Sequence, residues 1–180
     1  MTAAQADLQD DPQASLRIDR PTVADGAALW RMARDSKVLD LNSSYSYLLW
    51  CRDFAATSAV ARDGHGEPVG FVTGYLRPDH PDTLLVWQVA VDEAYRGRGL
   101  AAALLDGLVA RTAAERALTT VETTITPGNT ASERLFTSFA ERHGARLERE
   151  VLFEAGLFPD GPHDPEVLYR IGPLSFTTSA

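Results

Sequence analysis

Apolar residues recur along the chain in two patterns, one typical of strands and one typical of helices, and segments of the two kinds alternate. The segment Thr83–Val91 (TLLVWQVAV) is apolar almost throughout, as expected of a strand that is buried on both faces. Residues 118–125 (LTTVETTI) are rich in β-branched side chains and predict the next strand. Between these strands, apolar residues recur at the spacing of one helix face: Leu100, Leu104, Leu105, Leu108 and Val109. This pattern predicts a strand–helix–strand unit with parallel strands and a right-handed crossover.

The flanking segments extend this unit to one domain. Upstream, LRIDRPT predicts a short strand, Thr22 with Asp25 resembles a capping box before the first of two helices, and SAVA and EPVGFVTGYL predict two strands. Downstream, a helix follows PGN, and RLEREVLFE and EVLYRIG predict the last two strands. We therefore expect a single α/β (α+β) domain over residues 16–175, with a central mixed sheet flanked by helices. Residues 1–15 have no apolar periodicity and are predicted to form a disordered tail.

The junction between the long strand and its helix has an unusual composition. It is formed by six consecutive residues: Arg96, Gly97, Arg98, Gly99, Leu100 and Ala101. Glycines allow the backbone to turn tightly and to approach a ligand closely, and the free N–H groups of a helix's first turn suit a pyrophosphate. Ligands of such units bind at the carboxyl ends of the strands, where this junction lies. The six residues alone are equally compatible with an ordinary turn whose arginines are solvated.

Charge and composition exclude several classes of function. The chain has 180 residues, with 17 basic and 25 acidic side chains and a formal net charge of −8. A nucleic-acid-binding protein usually has an excess of basic residues on one face, so we expect no nucleic-acid partner. The chain has no signal peptide or long apolar span, which predicts a cytoplasmic protein that does not bind a membrane. Its one cysteine, Cys51, cannot form an internal disulfide.

The junction resembles the acetyl-CoA loop of the Gcn5-related N-acetyltransferases, Arg/Gln-x-x-Gly-x-Gly/Ala, and Arg96, Gly99 and Ala101 match that motif. This resemblance implies the acetyltransferase fold and acetyl-CoA as the acetyl donor. It further implies that the backbone of Val89 and Val91 binds the pantetheine, and that residues 96–101 surround the pyrophosphate. No metal is implied.

The helix after PGN departs from that family in one respect. Many members carry a tyrosine there that can protonate the leaving thiolate, but this sequence has Phe136. Asn129, just before the helix, corresponds to an asparagine that contacts the cofactor in the family. Thr130 and Glu133 also fit a capping box, so both a cofactor contact and a simple turn position remain open for Asn129.

A narrower resemblance covers most of the chain. Four segments are similar to the L-2,4-diaminobutyrate acetyltransferases of ectoine biosynthesis: DLNSSYSYLLWCRDFAATSAVA, GYLRPDHPDTLLVWQVAV, TPGNTASERLFTSFA and LFPDGPHDPEVLYRI. The resemblance implies acetylation of the 4-amino group of L-2,4-diaminobutyrate, and the product, N4-acetyl-L-2,4-diaminobutyrate, is cyclised by a separate synthase in the synthesis of a compatible solute. It also implies a homodimer, which the apolar final strands favour.

The acceptor carries two ammonium groups and a carboxylate, and five residues are candidates for contacting it. Asp40 and Glu122 could hold an ammonium group, whereas Tyr45 and Trp87 could enclose the methylene chain. Glu122 is the first candidate for the general base and His163 the second. Each of the five residues has an ordinary alternative, as a solvated side chain or as a core aromatic.

Two other functions and one other mechanism remain open. Acetylation of a protein amine would need an open groove, whereas the DLNSSYSYLLW segment and the loop with His163 are expected to cover the cleft. A catalytically silent acetyl-CoA sensor would be consistent with Phe136 in place of tyrosine. An acyl-enzyme on Cys51 would give ping-pong kinetics, but a lone cysteine among apolar residues is typical of a small buried side chain. We therefore expect direct attack in a ternary complex.

Overall fold

The computed structural model describes residues 16–159 and 161–176. The predicted tail, residues 1–15, lies outside this range. Within it, the chain forms seven strands: β1 (Arg17–Asp19), β2 (Ala59–Arg62), β3 (Pro68–Arg77), β4 (His80–Val91), β5 (Thr120–Ile125), β6 (Arg146–Phe153) and β7 (Glu166–Gly172). Four α-helices complete this part of the chain: α1 (Gly26–Ser36), α2 (Ser44–Asp53), α3 (Leu100–Glu115) and α4 (Thr130–Arg142).

The strands form one mixed sheet in the order β1-β2-β3-β4-β5-β7-β6. Strands β4 and β5 are parallel and connected through α3, and the other neighbouring pairs are antiparallel. The predicted mixed sheet and its parallel strand–helix–strand unit are therefore confirmed.

The helices cover the two faces of the sheet unequally. One face packs against α3 and α4, in a core that includes Leu84, Val86, Leu104 and Phe139. The other face packs against α1 and α2 in a smaller core that includes Phe71. Helix α1 contacts β3 and β4, and the β5–β7 part of this second face carries polar side chains and a cavity. This unequal coverage determines where a ligand can approach the middle of the sheet.

Local interactions explain where the first helix begins. The Asp25 carboxylate accepts a hydrogen bond of 2.6 Å from the Thr22 backbone N–H, as in the predicted capping box. Arg62 donates to both oxygens of that carboxylate, at 2.8 and 2.7 Å. These bonds lower the pKa of Asp25, although burial alone would raise it.

Two sequence predictions differ from the structure. Strand β4 begins at His80 rather than Thr83, and it is not buried on both faces, because Trp87 is 49% exposed. The reason is that β4 lies over a cavity on one side.

No helix in residues 16–159 and 161–176 is both long and apolar enough to cross a membrane.

Candidate active site

A gap opens in the middle of the sheet, where β4 and β5 separate. The two strands pair only from Thr83–Val86 to Thr120–Thr123. On its other side, β4 bulges: Thr73 pairs with Gln88 and Gly74 with Val86, so Trp87 has no partner on β3. A bulge of this kind bends the strand and redirects a side chain. The gap therefore begins at Trp87.

The backbone of β4 beyond the bulge is available to a ligand. Asp92 donates its N–H to the Val69 carbonyl on β3, at 2.9 Å. Because the backbone direction alternates along an antiparallel ladder, the polar groups of Val91 and Val89 point away from β3, into the gap. Consistent with this direction, the Val91 carbonyl accepts a hydrogen bond of 3.0 Å from Arg96 Nε. The N–H and carbonyl groups of Val89 and Val91 are therefore oriented towards any ligand in the gap.

The glycine-rich loop leaves backbone amides exposed at the start of α3. Gly97 and Gly99 both have φ of +75°, which side-chain-bearing residues rarely adopt, and no atom lies within 4 Å of a Cβ built at either position. Gly99 is the N-cap of α3 and has no side chain to bond the N–H groups of the first turn. Arg98 lies over the Tyr95 ring, 5.9 Å from its centroid. The loop therefore offers amide donors and open space to an anion.

Asn129 lies between the two halves of the site. Its Oδ1 accepts a hydrogen bond of 3.1 Å from the Ser132 N–H, so Asn129 is the N-cap of α4 and the capping box predicted from Thr130 and Glu133 is wrong. Asn129 also lines a groove of about 300 Å³ with Val89, Val91, Arg96 and Ala101. Its Nδ2 remains a candidate contact for the cofactor. Phe136, in contrast, is buried in the core at 2% exposure.

A second cavity, of about 280 Å³, adjoins this groove and shares Asn129 with it. It brings together three of the predicted acceptor residues, Asp40, Trp87 and His163, although they come from a loop before α2, from β4 and from the loop before β7. Glu166, the first residue of β7, also lines this cavity. We call it the acceptor cavity.

Asp40, His163 and Glu166 form an acidic cluster in the acceptor cavity. One nitrogen or carboxylate oxygen from each residue lies within 4.8 Å of those of the other two. Sequence reasoning missed Glu166, which directly follows the Gly/Pro-rich loop and lies three residues after His163. The two carboxylates and the imidazole can hold a cation such as an ammonium group.

The orientation of His163 suits a proton acceptor. Its Nδ1 is within hydrogen-bonding distance of the Asp164 carbonyl oxygen, which can only accept, so Nδ1 donates; in the neutral imidazole Nε2 then carries the lone pair. The imidazole stacks on the Phe158 ring, with centroids 3.7 Å apart and 14° between the planes. Both contacts fix the ring.

The Asp40 loop is tied to β4 by Gln88, a buried residue that also lines the acceptor cavity. Gln88 Nε2 donates a hydrogen bond of 2.8 Å to the Asp40 carbonyl oxygen. Gln88 Oε1 accepts one of 3.0 Å from the hydroxyl of Tyr47, which is 1% exposed on α2. No pattern in the sequence indicates a role for Gln88, because a single glutamine on a strand carries no motif.

Glu122 lies in an adjacent cavity and is 3% exposed. One carboxylate oxygen accepts from Arg77 Nη1 at 2.9 Å and the other from Arg170 Nε at 2.8 Å. Both carboxylate oxygens thus already accept hydrogen bonds from guanidinium groups, so the geometry does not support Glu122 as the first choice for the base. Its role in positioning the acceptor stays a prediction.

The structure does not bring Tyr45 to either cavity. Residues two apart on a helix point about 200° apart, and α2 buries Tyr47 and Cys51. Tyr45 is consequently 65% exposed and is not among the residues that line the acceptor cavity. Its assignment to the methylene chain of the acceptor has no support from this geometry.

Residues 27–140 match the family model "Acetyltransferase (GNAT) family". Two curated relatives, from Streptomyces coelicolor and Streptomyces avermitilis, are both named L-2,4-diaminobutyric acid acetyltransferase. The first is 79% identical and covers 97% of this chain and 98% of its own length; the second is 75% identical and covers 97% and 99%. The chain belongs to the diaminobutyric acid acetyltransferases of the GNAT family.

A solved structure leads to the same family. Diaminobutyrate acetyltransferase EctA from Paenibacillus lautus, in complex with its substrate L-2,4-diaminobutyric acid and coenzyme A, is 38% identical, with a TM-score of 0.84. The alignment covers 92% of this chain and 99% of the other. The recognised family, the predicted fold class and the prediction of an acetyltransferase are thus confirmed. The predicted roles of individual residues stay predictions.

Proposed function

We propose that this acetyltransferase transfers the acetyl group of acetyl-CoA to the 4-amino group of L-2,4-diaminobutyrate. The observation that carries the proposal is the acidic cluster of Asp40, His163 and Glu166, which opens onto the gap between β4 and β5. A site for an ammonium group thus adjoins a site for a thioester. The names of the relatives and of the solved complex support the same acceptor.

Acetyl-CoA binds along the groove between α3 and α4. The backbone N–H groups of Val89 and Val91 bond the pantetheine, and the amides from Arg96 to Ala101 bind the pyrophosphate, with Arg96 and Arg98 adding positive charge. Asn129 Nδ2 is the contact that the N-cap bond leaves available. The acetyl carbonyl then lies in the gap at Trp87, within reach of the acceptor cavity.

The acceptor amine loses its proton before it attacks. A free alkyl ammonium has a pKa of about 10.4, so a base must act near neutral pH. His163 Nε2 accepts a proton from the 4-ammonium group while Asp40 and Glu166 stabilise the imidazolium that forms. The nitrogen lone pair attacks the thioester carbon, and the tetrahedral intermediate releases its remaining surplus N–H proton to solvent as the C–S bond breaks. The coenzyme A thiolate leaves and takes up a proton from solvent, and the His163 imidazolium returns its proton to solvent. With Phe136 buried in the core, the tyrosine acid of many family members has no counterpart there.

The test is release of free thiol from acetyl-CoA in the presence of separate acceptors: L-2,4-diaminobutyrate, other small amines and peptides. Release with diaminobutyrate, and an NMR spectrum that shows acetylation at N4, are expected. Release with peptides alone would favour a protein acetyltransferase, and no release above hydrolysis would favour a sensor. Acetylation at N2 would show that the cavity anchors the opposite end of the substrate.

We also propose that the protein is a homodimer, because β6 is an edge strand with exposed apolar side chains. Val151, Leu152 and Phe153 are 49%, 40% and 45% exposed. Exposed apolar side chains on a sheet edge are typical of an interface. Light scattering on a sizing column should give twice the chain mass. The variant Leu152→Glu should shift the protein towards monomer, and a monomeric wild type would contradict the proposal.

Four further predictions complete this proposal. The product enters ectoine biosynthesis, the enzyme acts in the cytoplasm where acetyl-CoA is made, and residues 16–175 form one domain. The reaction needs no metal, although the acidic cluster has groups that also suit a cation. Treatment with a chelator, followed by removal of the chelator, should leave thiol release unchanged. Loss of activity that zinc or magnesium restores would contradict this last prediction.

A further inference from the structure

The cavity next to the acceptor cavity has a volume of about 360 Å³ and contains two arginine side chains. The two cavities share Trp87, Thr124 and Phe153, so they adjoin each other at the Trp87 ring. Leu84 and Val86 pack into the core under α3, and the side chain of Leu85 therefore points to the opposite face of the sheet, where this cavity lies. An acceptor in this cavity would approach the gap from the face of the sheet opposite to α3.

We propose that Arg77 and Arg170 form the subsite for the carboxylate of an amino acid acceptor. The proposal rests on the proposed function and names the group that the enzyme recognises at the far end of its substrate.

Glu122 holds both guanidinium groups in place. Arg77 on β3 reaches one oxygen of this carboxylate at 2.9 Å across β4, and Arg170 on β7, the neighbour of β5, reaches the other at 2.8 Å. Glu122 is buried, whereas the arginine side chains are 35% and 40% exposed and line the cavity. Each guanidinium has five N–H donors in a fixed plane, so one bond to Glu122 leaves donors for a second carboxylate.

The two ends of these adjoining cavities carry different charged groups. At one end two guanidinium groups face the buried Glu122 carboxylate and the Glu150 carboxylate, which contacts Arg170 at 3.3 Å and, being 60% exposed, is more strongly screened by water. At the other end, Asp40 and Glu166 are negative. An amino acid with an ammonium group on its side chain has the same separation of charge. The Trp87 ring lies between the ends, where the methylene chain would pass.

Two acceptors separate this role from a structural one. L-2,4-Diaminobutyrate and 1,3-diaminopropane have the same spacing between amines, but the second lacks the carboxylate. We expect wild-type enzyme at saturating acetyl-CoA to prefer diaminobutyrate strongly in kcat/KM. Arg77→Gln should lower kcat/KM for diaminobutyrate at least about tenfold, since a bond between charged groups is lost, and should leave diaminopropane within about twofold.

Arg77→Lys should keep part of the preference because it keeps the charge and loses the planar fork. The control is Arg149→Gln: Arg149 lies over the Tyr169 ring, and side chains alternate along β6, so it faces away from Glu150 and the cavity. Arg149→Gln should leave kcat/KM unchanged for both acceptors. Acetyl-CoA affinity and melting temperature are measured for every variant.

If Arg77→Gln lowers kcat/KM equally for both acceptors, the two arginines only hold Glu122 in place and the inference is wrong. An unchanged preference for diaminobutyrate would also overturn it. If Arg77→Gln does not fold, wild-type enzyme with diaminobutyrate amide gives the answer. A kcat/KM equal to that of the free acid would mean that no carboxylate is recognised. A wild type that acetylates neither diaminobutyrate nor diaminopropane would contradict the proposed function itself.

Discussion

The cofactor loop and the acceptor cavity are built in different ways. The loop from Arg96 to Ala101 is a continuous stretch whose proposed contacts with the cofactor are made by its backbone, and its glycines have φ of +75°. The acceptor cavity is built from side chains of Asp40, Trp87, His163 and Glu166, which the fold collects from distant parts of the chain. The proposed cofactor site thus depends on six adjacent residues, whereas the proposed acceptor site depends on the topology.

The largest effect should follow from a change in the acceptor cavity. His163→Ala removes the proposed base and should lower kcat by about 10²- to 10⁴-fold, the usual contribution of general base catalysis. Acetyl-CoA affinity, measured by calorimetry, should be unchanged. The control is His65→Ala, in the exposed turn before β3. A His163→Ala enzyme with more than about a tenth of wild-type kcat would remove His163 from proton transfer.

The cofactor loop should respond to a change that affects its backbone. Gly99→Val places a β-branched residue at φ of +75°, and backbone strain of about 1–3 kcal/mol is expected. Acetyl-CoA affinity should fall at least about tenfold, because the amides no longer converge on the pyrophosphate.

Gly66→Val is the matched control for this variant. Gly66 has φ of +84° in the turn before β3 and is not among the residues that line the cofactor groove, and a Cβ built there likewise has no atom within 4 Å. Both variants should lower the melting temperature, but Gly66→Val should leave acetyl-CoA affinity intact. Equal affinities in the two folded variants would contradict the assignment of the loop to the cofactor.

The carboxylates of the acceptor cavity should affect the acceptor and not the cofactor. Asp40→Asn and Glu166→Gln each remove a charged partner of an ammonium group, which costs about 1–3 kcal/mol, or roughly tenfold in kcat/KM for diaminobutyrate. The matched control is Asp53→Asn, an exposed carboxylate on α2 that pairs with Arg52. Wild-type kinetics in both cavity variants would exclude the acidic cluster from substrate binding.

The same contrast explains what could be predicted from the sequence. The order of strands and helices and the position of the cofactor loop follow from local periodicity and from one motif. Asp40 and His163 were found as acceptor candidates by residue type, but Glu166 and Gln88 were not, because their partners lie far away in sequence. Tyr45 was chosen over Tyr47, and only the packing of α2 decides which of the two is buried. Glu122 was assigned as a base because two distant arginines could not be placed beside it.

A smaller effect is expected at Gln88, which connects the two regions. Gln88 is next to Val89 on β4 and bonds the carbonyl oxygen of Asp40. Gln88→Leu removes that bond and should raise KM for diaminobutyrate by about three- to tenfold, with little change in kcat or acetyl-CoA affinity. Gln88→Glu keeps the bond to Tyr47 but loses the donor to Asp40, so it should not rescue KM, whereas Tyr47→Phe should have the milder effect. A fall in kcat as large as the rise in KM in Gln88→Leu would indicate a general structural role.

The smallest effect is expected at Cys51, which lies in neither the cofactor loop nor the acceptor cavity. Burial, with a further contribution from Asp25, raises the pKa of the Cys51 thiol to about 11, and the residue is 2% exposed. Little thiolate therefore forms near neutral pH, and no acyl donor can reach it. Cys51→Ala should keep kcat within about twofold, and double-reciprocal plots for the two substrates should intersect, as direct attack requires. Because the folded protein retains this proton while the unfolded chain releases it, the thiol's contribution to stability is lost as pH rises from about 9 to 11. Chemical denaturation of Cys51→Ala over that range should show a flatter decline than the wild type. Parallel kinetic lines, together with loss of activity in a folded Cys51→Ala, would instead establish an acyl-cysteine route.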